Sequence, residues 1–178
     1  MASHYIFNNH VTMKAWYLIH SKPKQEQIAK EQLERQGYQT YLPMAYTYRR
    51  RRGRTVRVIA PMFPRYLFIN LNDETDDWRP IRSTIGVANL VRFGIDAARV
   101  PDDLIDSLKS REDDTGIQVL PGKTFSVGDK VRVKEGVFEG YEAIIHAQNP
   151  RERVVLLMKV VERYIKVELD AMHLELRS

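Results

Sequence analysis

The chain is predicted to be an α+β protein: a first domain of about 100 residues, then a second, β-rich domain of about 55. Three observations predict this. Short apolar runs and one-sided helical segments follow one another across residues 14–111. The polar stretch 112–122, with Gly116, Pro121 and Gly122, reads as a linker. Residues 123–178 then open on two apolar strands around a glycine-rich turn.

Met1 to Thr12 has no clear periodicity, and Met13 stands just before the first strand. The leading segment reads as a tag, a vector remnant or an upstream start. Ala15-Trp-Tyr-Leu-Ile-His20 is a compact apolar strand. Pro23 suits entry to a helix, since its missing N–H falls among donors without partners. That helix carries Ile28, Ala29 and Leu33 on its apolar side and ends near Gly37.

A second strand spans Tyr38 to Leu42. Tyr46 to Ile59 reads as a hairpin turning near Arg52-Gly53, because Val56 and Val58 alternate with Thr55 and Arg57. Tyr66-Leu-Phe-Ile69 is a further strand. Its period of two puts Tyr66 and Phe68 on one face and Leu67 and Ile69 on the other. With Leu67 and Ile69 against the first helix, Tyr66 and Phe68 would join Phe93, Ile105 and Leu108. Asp76-Asp77 offers an N-cap to a short helix carrying a half-buried Trp78, Arg79 and Arg82. Val87 to Phe93 is a strand. Pro101 then opens a helix with acids in its first turn, as the helix dipole favours.

The tail supports two readings. In Arg153 to Leu169, Ile165, Val167 and Leu169 alternate with Tyr164, Lys166 and Glu168. Five β-branched residues (Val154, Val155, Val160, Val161 and Ile165) favour strands. Asn149-Pro150 and Glu162-Arg163 then serve as turns. With the helical period, Val154, Leu157, Met158, Val161, Ile165, Leu169 and Met172 form one stripe.

The net charge is +5, but its distribution says more. Between Arg35 and Asn72 there is no Asp or Glu, while eight arginines fall in that window, five of them among residues 49–54. Removing those eight from +5 leaves −3, so the basic character is local and suits phosphates. The bland alternative is a solvated loop. Cysteine is absent, which excludes disulfides and thiolate zinc sites and fits a reducing cytoplasm. No apolar run approaches the ~20 residues of a membrane span. His4, His10, His20, His146 and His173 lack metal-ligand spacing. With no nucleophile or phosphate-loop motif either, no enzyme, no metal and no cofactor are expected.

Two resemblances follow from these residues. Ser126-Val-Gly-Asp-Lys-Val-Arg-Val-Lys-Glu-Gly-Val-Phe-Glu-Gly-Tyr-Glu-Ala-Ile-Ile145 resembles the KOW motif, a small β-barrel. Ala15-Trp-Tyr-Leu-Ile-His-Ser-Lys-Pro-Lys-Gln-Glu26, Ala60-Pro-Met-Phe-Pro-Arg-Tyr-Leu-Phe-Ile69 and Trp78-Arg-Pro-Ile-Arg-Ser-Thr-Ile-Gly-Val87 resemble blocks of the NusG N-terminal domain. Leu90-Val-Arg-Phe-Gly94, the helix at Pro101, Lys22-Pro-Lys24 and Glu34-Arg-Gln36 are closer to the RfaH-type specialised paralogues.

The resemblance implies an antiparallel sheet flanked by helices, followed by a KOW β-barrel. The alternative is a C-terminal α-helical hairpin packed on the N-terminal domain, where it would bury Phe68, Phe93 and Leu108. It implies a cytoplasmic, monomeric transcription elongation and antitermination factor that suppresses pausing, with no membrane partner. His20, Tyr66, Phe68, Phe93, Ile105 and Leu108 would grip the clamp helices of the largest RNA polymerase subunit. Trp78, Arg79 and Arg82 would face the gate loop of the second largest. Lys22, Lys24 and Gln25 would touch non-template DNA, although Pro23 and Ile28 stand where RfaH-type patterns can carry basic residues. Val137 and Phe138, at a barrel loop, would recruit a small-subunit ribosomal protein or Rho. A ribosome-associated RNA-binding KOW protein is the alternative function.

Overall fold

The computed structural model describes residues 14–120, 137–147 and 149–175, with side chains for 14–120, 140–147 and 149–166. The fold is α+β. Strand β1 (Lys14–Ser21) is the middle of the main sheet, because six of its eight residues are buried. It pairs antiparallel with β5 (Tyr66–Asn72), β6 (Val87–Leu90) and β9 (Arg99–Val100), while β2 (Gln39–Tyr41) adds outside β5. A second sheet joins β3 (Met44–Arg51), β4 (Arg54–Pro61) and β10 (Ile117–Gln118), and β7 (Arg92–Phe93) and β8 (Asp96–Ala97) form a small ribbon.

Period two splits the core into two layers. Ala15, Tyr17, Ile19, Leu67, Ile69 and Leu71 pack with Ala29 and Leu33 of α1 (Glu26–Arg35). Trp16, Leu18 and Phe68 face the other way, toward Leu104, Ile105 and Leu108 of α2 (Asp102–Lys109). The predicted partition of Leu67 and Ile69 from Phe68 therefore holds. Ile28, expected on the apolar side of α1, is 42% exposed. The helix starts at Glu26, three residues after Pro23, which rotates Ile28 outward and buries Glu26. The Glu26 carboxylate accepts a bond from the Arg65 N–H at 2.9 Å.

The stretch read as a linker is anchored as far as Gln118. Ile117 and Gln118 pair in parallel with Met44 and Ala45. The Gln118 side-chain amide donates to the Leu108 carbonyl at 2.9 Å, within a group that includes Tyr41 and Glu112.

The largest difference from the sequence reading lies after residue 136. Val137–His146 is helix α3 and Pro150–Glu175 is helix α4, so the strands expected at Ala143–Ile145 and along the tail are absent from the described residues. The structure takes the alternative, a helical hairpin packed on the N-terminal domain. Asn149-Pro150, read as a turn, starts α4. The Asn149 side chain accepts the Arg151 N–H at 2.8 Å, and proline occupies the first helical position. Tyr141, Ile144, Ile145, Leu157, Val161 and Ile165 are buried in the same layer as Phe68, Ile105 and Leu108. That burial outweighs the strand preference of the β-branched residues, which rarely exceeds ~1 kcal/mol. Gly140 permits the helices to approach, since a Cβ there would meet Val160 at 2.6 Å. The block at Ser126–Gly136 lies outside the described residues, as do residues 1–13.

Candidate functional site

One open cleft gathers five of the residues expected to bind a partner. His20, Tyr66, Trp78, Arg79 and Arg82 line a volume of about 770 Å³ with Asn89, Leu90, Val91 and Arg92. Direct pairing of His20 with Tyr66 across β1 and β5 sets their position. Their rings stack at 4.9 Å with 23° between planes. Burial and then the Arg65 guanidinium lower the His20 pKa from 6.5, so a neutral imidazole faces the cleft at neutral pH.

Trp78 is half-buried, edge-on to Tyr17 at 4.7 Å, and its indole N–H donates to the Asn72 carbonyl. It precedes a 3-10 helix, Arg79–Ser83. Arg79 forks onto Asp77 with two bonds of 2.9 Å, which raises the arginine pKa and lowers that of the aspartate. Arg82 is exposed. The cleft therefore presents a stacked aromatic pair, an indole edge and two guanidiniums, with an apolar floor at Leu90 and Val91. Asn89, Leu90, Val91 and Arg92 were not singled out as cleft residues; their signals were the strand Val87 to Phe93 and, for the last three, the Leu90–Gly94 block.

The other expected contacts are divided from this cleft by burial. Phe68, Ile105 and Leu108 are 0% exposed, and Phe93 is half-buried against them. They lie in the layer completed by α3 and α4. Two polar links reinforce that cover. Arg111 pairs with Glu142 at 2.6 Å. Arg153, only 2% exposed, donates from Nε to the Met62 carbonyl and from Nη1 to the Ala147 carbonyl, both at 2.9 Å. Burial alone lowers its guanidinium pKa. Arg153 thus joins the turn between the helices to the body, a role that an arginine at a helix start does not reveal in sequence.

Lys22 and Lys24 are exposed on the turn between β1 and α1, and Gln25 is half-buried at its end. The Gln25 N–H donates to the Lys22 carbonyl at 3.1 Å, and the Lys22 N–H to the Gly86 carbonyl at 2.8 Å. Gly86 must be glycine: its φ is +88°, and a Cβ would stand 2.7 Å from the Ala29 nitrogen. The lysine turn is therefore rigid at its base. Val137 and Phe138 fall in the first turn of α3, not at a barrel loop, and their side chains lie outside the described residues. Among the described residues no group of three or more His, Asp or Glu is placed to hold a metal, and no helix is long and apolar enough to cross a membrane.

A family profile described as "Transcription termination factor nusG" matches residues 14–109. The chain is similar to the transcription termination/antitermination protein NusG of Thermus thermophilus, with 29% identity over 177 residues, covering 87% of this chain and 94% of that protein. The Deinococcus radiodurans protein of the same name is 25% identical, covering 87% and 95%. That of Pseudomonas aeruginosa is 21% identical, covering 91% and 98%. With the profile running from the first strand of the sheet to the helix under the covered face, over half of the 178 residues, this chain belongs to the NusG family.

Proposed function

We propose that this protein is a cytoplasmic transcription elongation and antitermination factor that binds RNA polymerase through its N-terminal domain. Phe68, Phe93, Ile105 and Leu108 seat the clamp helices, with His20 and Tyr66 at the border of that face. Trp78, Arg79 and Arg82 reach the gate loop on the opposite wall. Bridging both walls favours the closed clamp and suppresses pausing and termination, which is differential binding to one conformation and needs no catalysis. Lys22 and Lys24 hold phosphates of the non-template strand, and Gln25 meets a base edge.

The carrying observation is the cover over Phe68, Ile105 and Leu108. Large apolar side chains on one sheet face are sealed by a hairpin whose own segment also has a strand pattern. This favours an RfaH-type specialised member, in which the helical hairpin masks the polymerase face until recruitment. Released, residues 123–178 would form the KOW barrel and recruit a small-subunit ribosomal protein or Rho. Two packings of one segment coexist when they differ by a few kcal/mol.

The test is capture of purified core RNA polymerase by residues 14–120, a boundary that keeps β10 on β3. Capture is expected, with loss on Tyr66→Ala/Trp78→Ala. No capture by the intact fragment would end the reading.

A further inference from the structure

The arginine hairpin is not part of the cleft, the covered face or the lysine turn. Strands β3 and β4 pair through eight consecutive positions, from Met44↔Pro61 to Arg51↔Arg54. Arg52 and Gly53 alone close the ribbon, both with positive φ (50° and 77°), the turn geometry that matches strand twist. Every residue from Tyr48 to Thr55 is exposed. Arg49, Arg51 and Arg54 share one face, Arg50 lies on the other, and Arg52 is at the tip. None of these five forms an ion pair with a carboxylate among the described residues. Arg51 stands directly opposite Arg54, a like-charge pairing that destabilises a ribbon in isolation.

We infer that this ribbon is a second nucleic-acid site, which enters the major groove of double-stranded DNA and neutralises phosphates on both walls. Shape selects the duplex. Two strands lie about 4.8 Å apart, and with side chains they fill a groove about 12 Å wide, which admits a two-stranded ribbon. The outer half of β3, four residues at about 3.4 Å each, exceeds the groove depth of about 8.5 Å. Guanidiniums on both faces then meet both phosphate walls. The major groove of an RNA duplex is too narrow for side chains to read. A single strand is bound through aromatic rings interleaved with the basic residues, whereas the exposed Tyr48 stands only at the inner end of the run 49–54. The contact positions the protein and carries little sequence preference.

The test uses the full chain and a short fluorescein-labelled DNA duplex, with anisotropy read from about 50 to about 200 mM salt. Neutralising three arginines in Arg51→Gln/Arg52→Gln/Arg54→Gln is expected to lower the log–log salt slope by about 2.7, at about 0.9 per phosphate. Across that salt range the variant's affinity then changes about 40-fold less than the parent's. Arg51→Lys/Arg52→Lys/Arg54→Lys, which keeps the three charges, retains the slope. An unaltered slope in the glutamine variant with an unaltered melting temperature would overturn the inference. So would an equal fall in the salt slope for single-stranded DNA in the glutamine variant, or binding of an RNA duplex as tight as that of the DNA duplex.

Discussion

Replacing Leu157 by alanine should open, in the full chain, the face proposed to dock on polymerase. Leu157 is 0% exposed and shares a buried layer with Phe68, Ile105 and Leu108, yet it lies on α4 and outside the face it covers. The substitution removes three carbons, about 2.4 kcal/mol of transfer free energy at about 0.8 kcal/mol each, and any residual cavity adds to it. At about 1.4 kcal/mol per factor of ten, the masked state loses about 50-fold against the open one. Because a minority open state weakens apparent affinity by its own population, Leu157→Ala should bind core polymerase up to about 50-fold more tightly. Titration of labelled core polymerase with parent and variant measures this, with circular dichroism reporting helix loss. Unchanged affinity in Leu157→Ala, alongside tight binding by residues 14–120, would refute the idea that this packing holds the cover in place.

Three further outcomes follow from the body of the protein. Gly86→Ala places a Cβ against the Ala29 backbone at φ +88°, so it should cost more than ~1 kcal/mol and lower the melting temperature by about 2 °C or more. His20 should titrate below 6.5 by NMR, since burial and Arg65 disfavour its imidazolium. The unfolded chain then takes up that proton first, so the stability His20 contributes is complete above 6.5 and is lost as pH falls through the folded midpoint. A midpoint above 6.5 would show that the imidazolium is favoured instead. Lys22→Ala/Lys24→Ala should lose non-template single-strand binding with polymerase capture intact, and retained strand binding would remove the lysine turn from the site.

Most of the N-terminal body was legible because its signals are local. Alternation assigned Leu67 and Ile69 to one layer and Phe68 to the other. Arg52-Gly53 fixed the ribbon turn, and Pro101 with its acids fixed the start of α2. The cleft was legible in part: five of its nine residues were named, while Asn89 to Arg92 enter it through the way β6 meets β1. The strand at Ile117–Gln118 was not legible, since a two-residue pairing with β3 across a polar stretch leaves no periodicity. The state of the tail was undecidable from its own residues. Val154, Leu157, Val161 and Ile165 fit a helical stripe while their β-branched company fits strands, and burial against a distant sheet face settles the matter in this structure.

The central claim is that the helical hairpin covers the face that docks on polymerase. The most direct test is to measure the affinity of core RNA polymerase for the full chain and for residues 14–120 in parallel. The account predicts tight binding by the fragment and markedly weaker binding by the full chain. Equal affinities, or a full chain that binds more tightly, would contradict it.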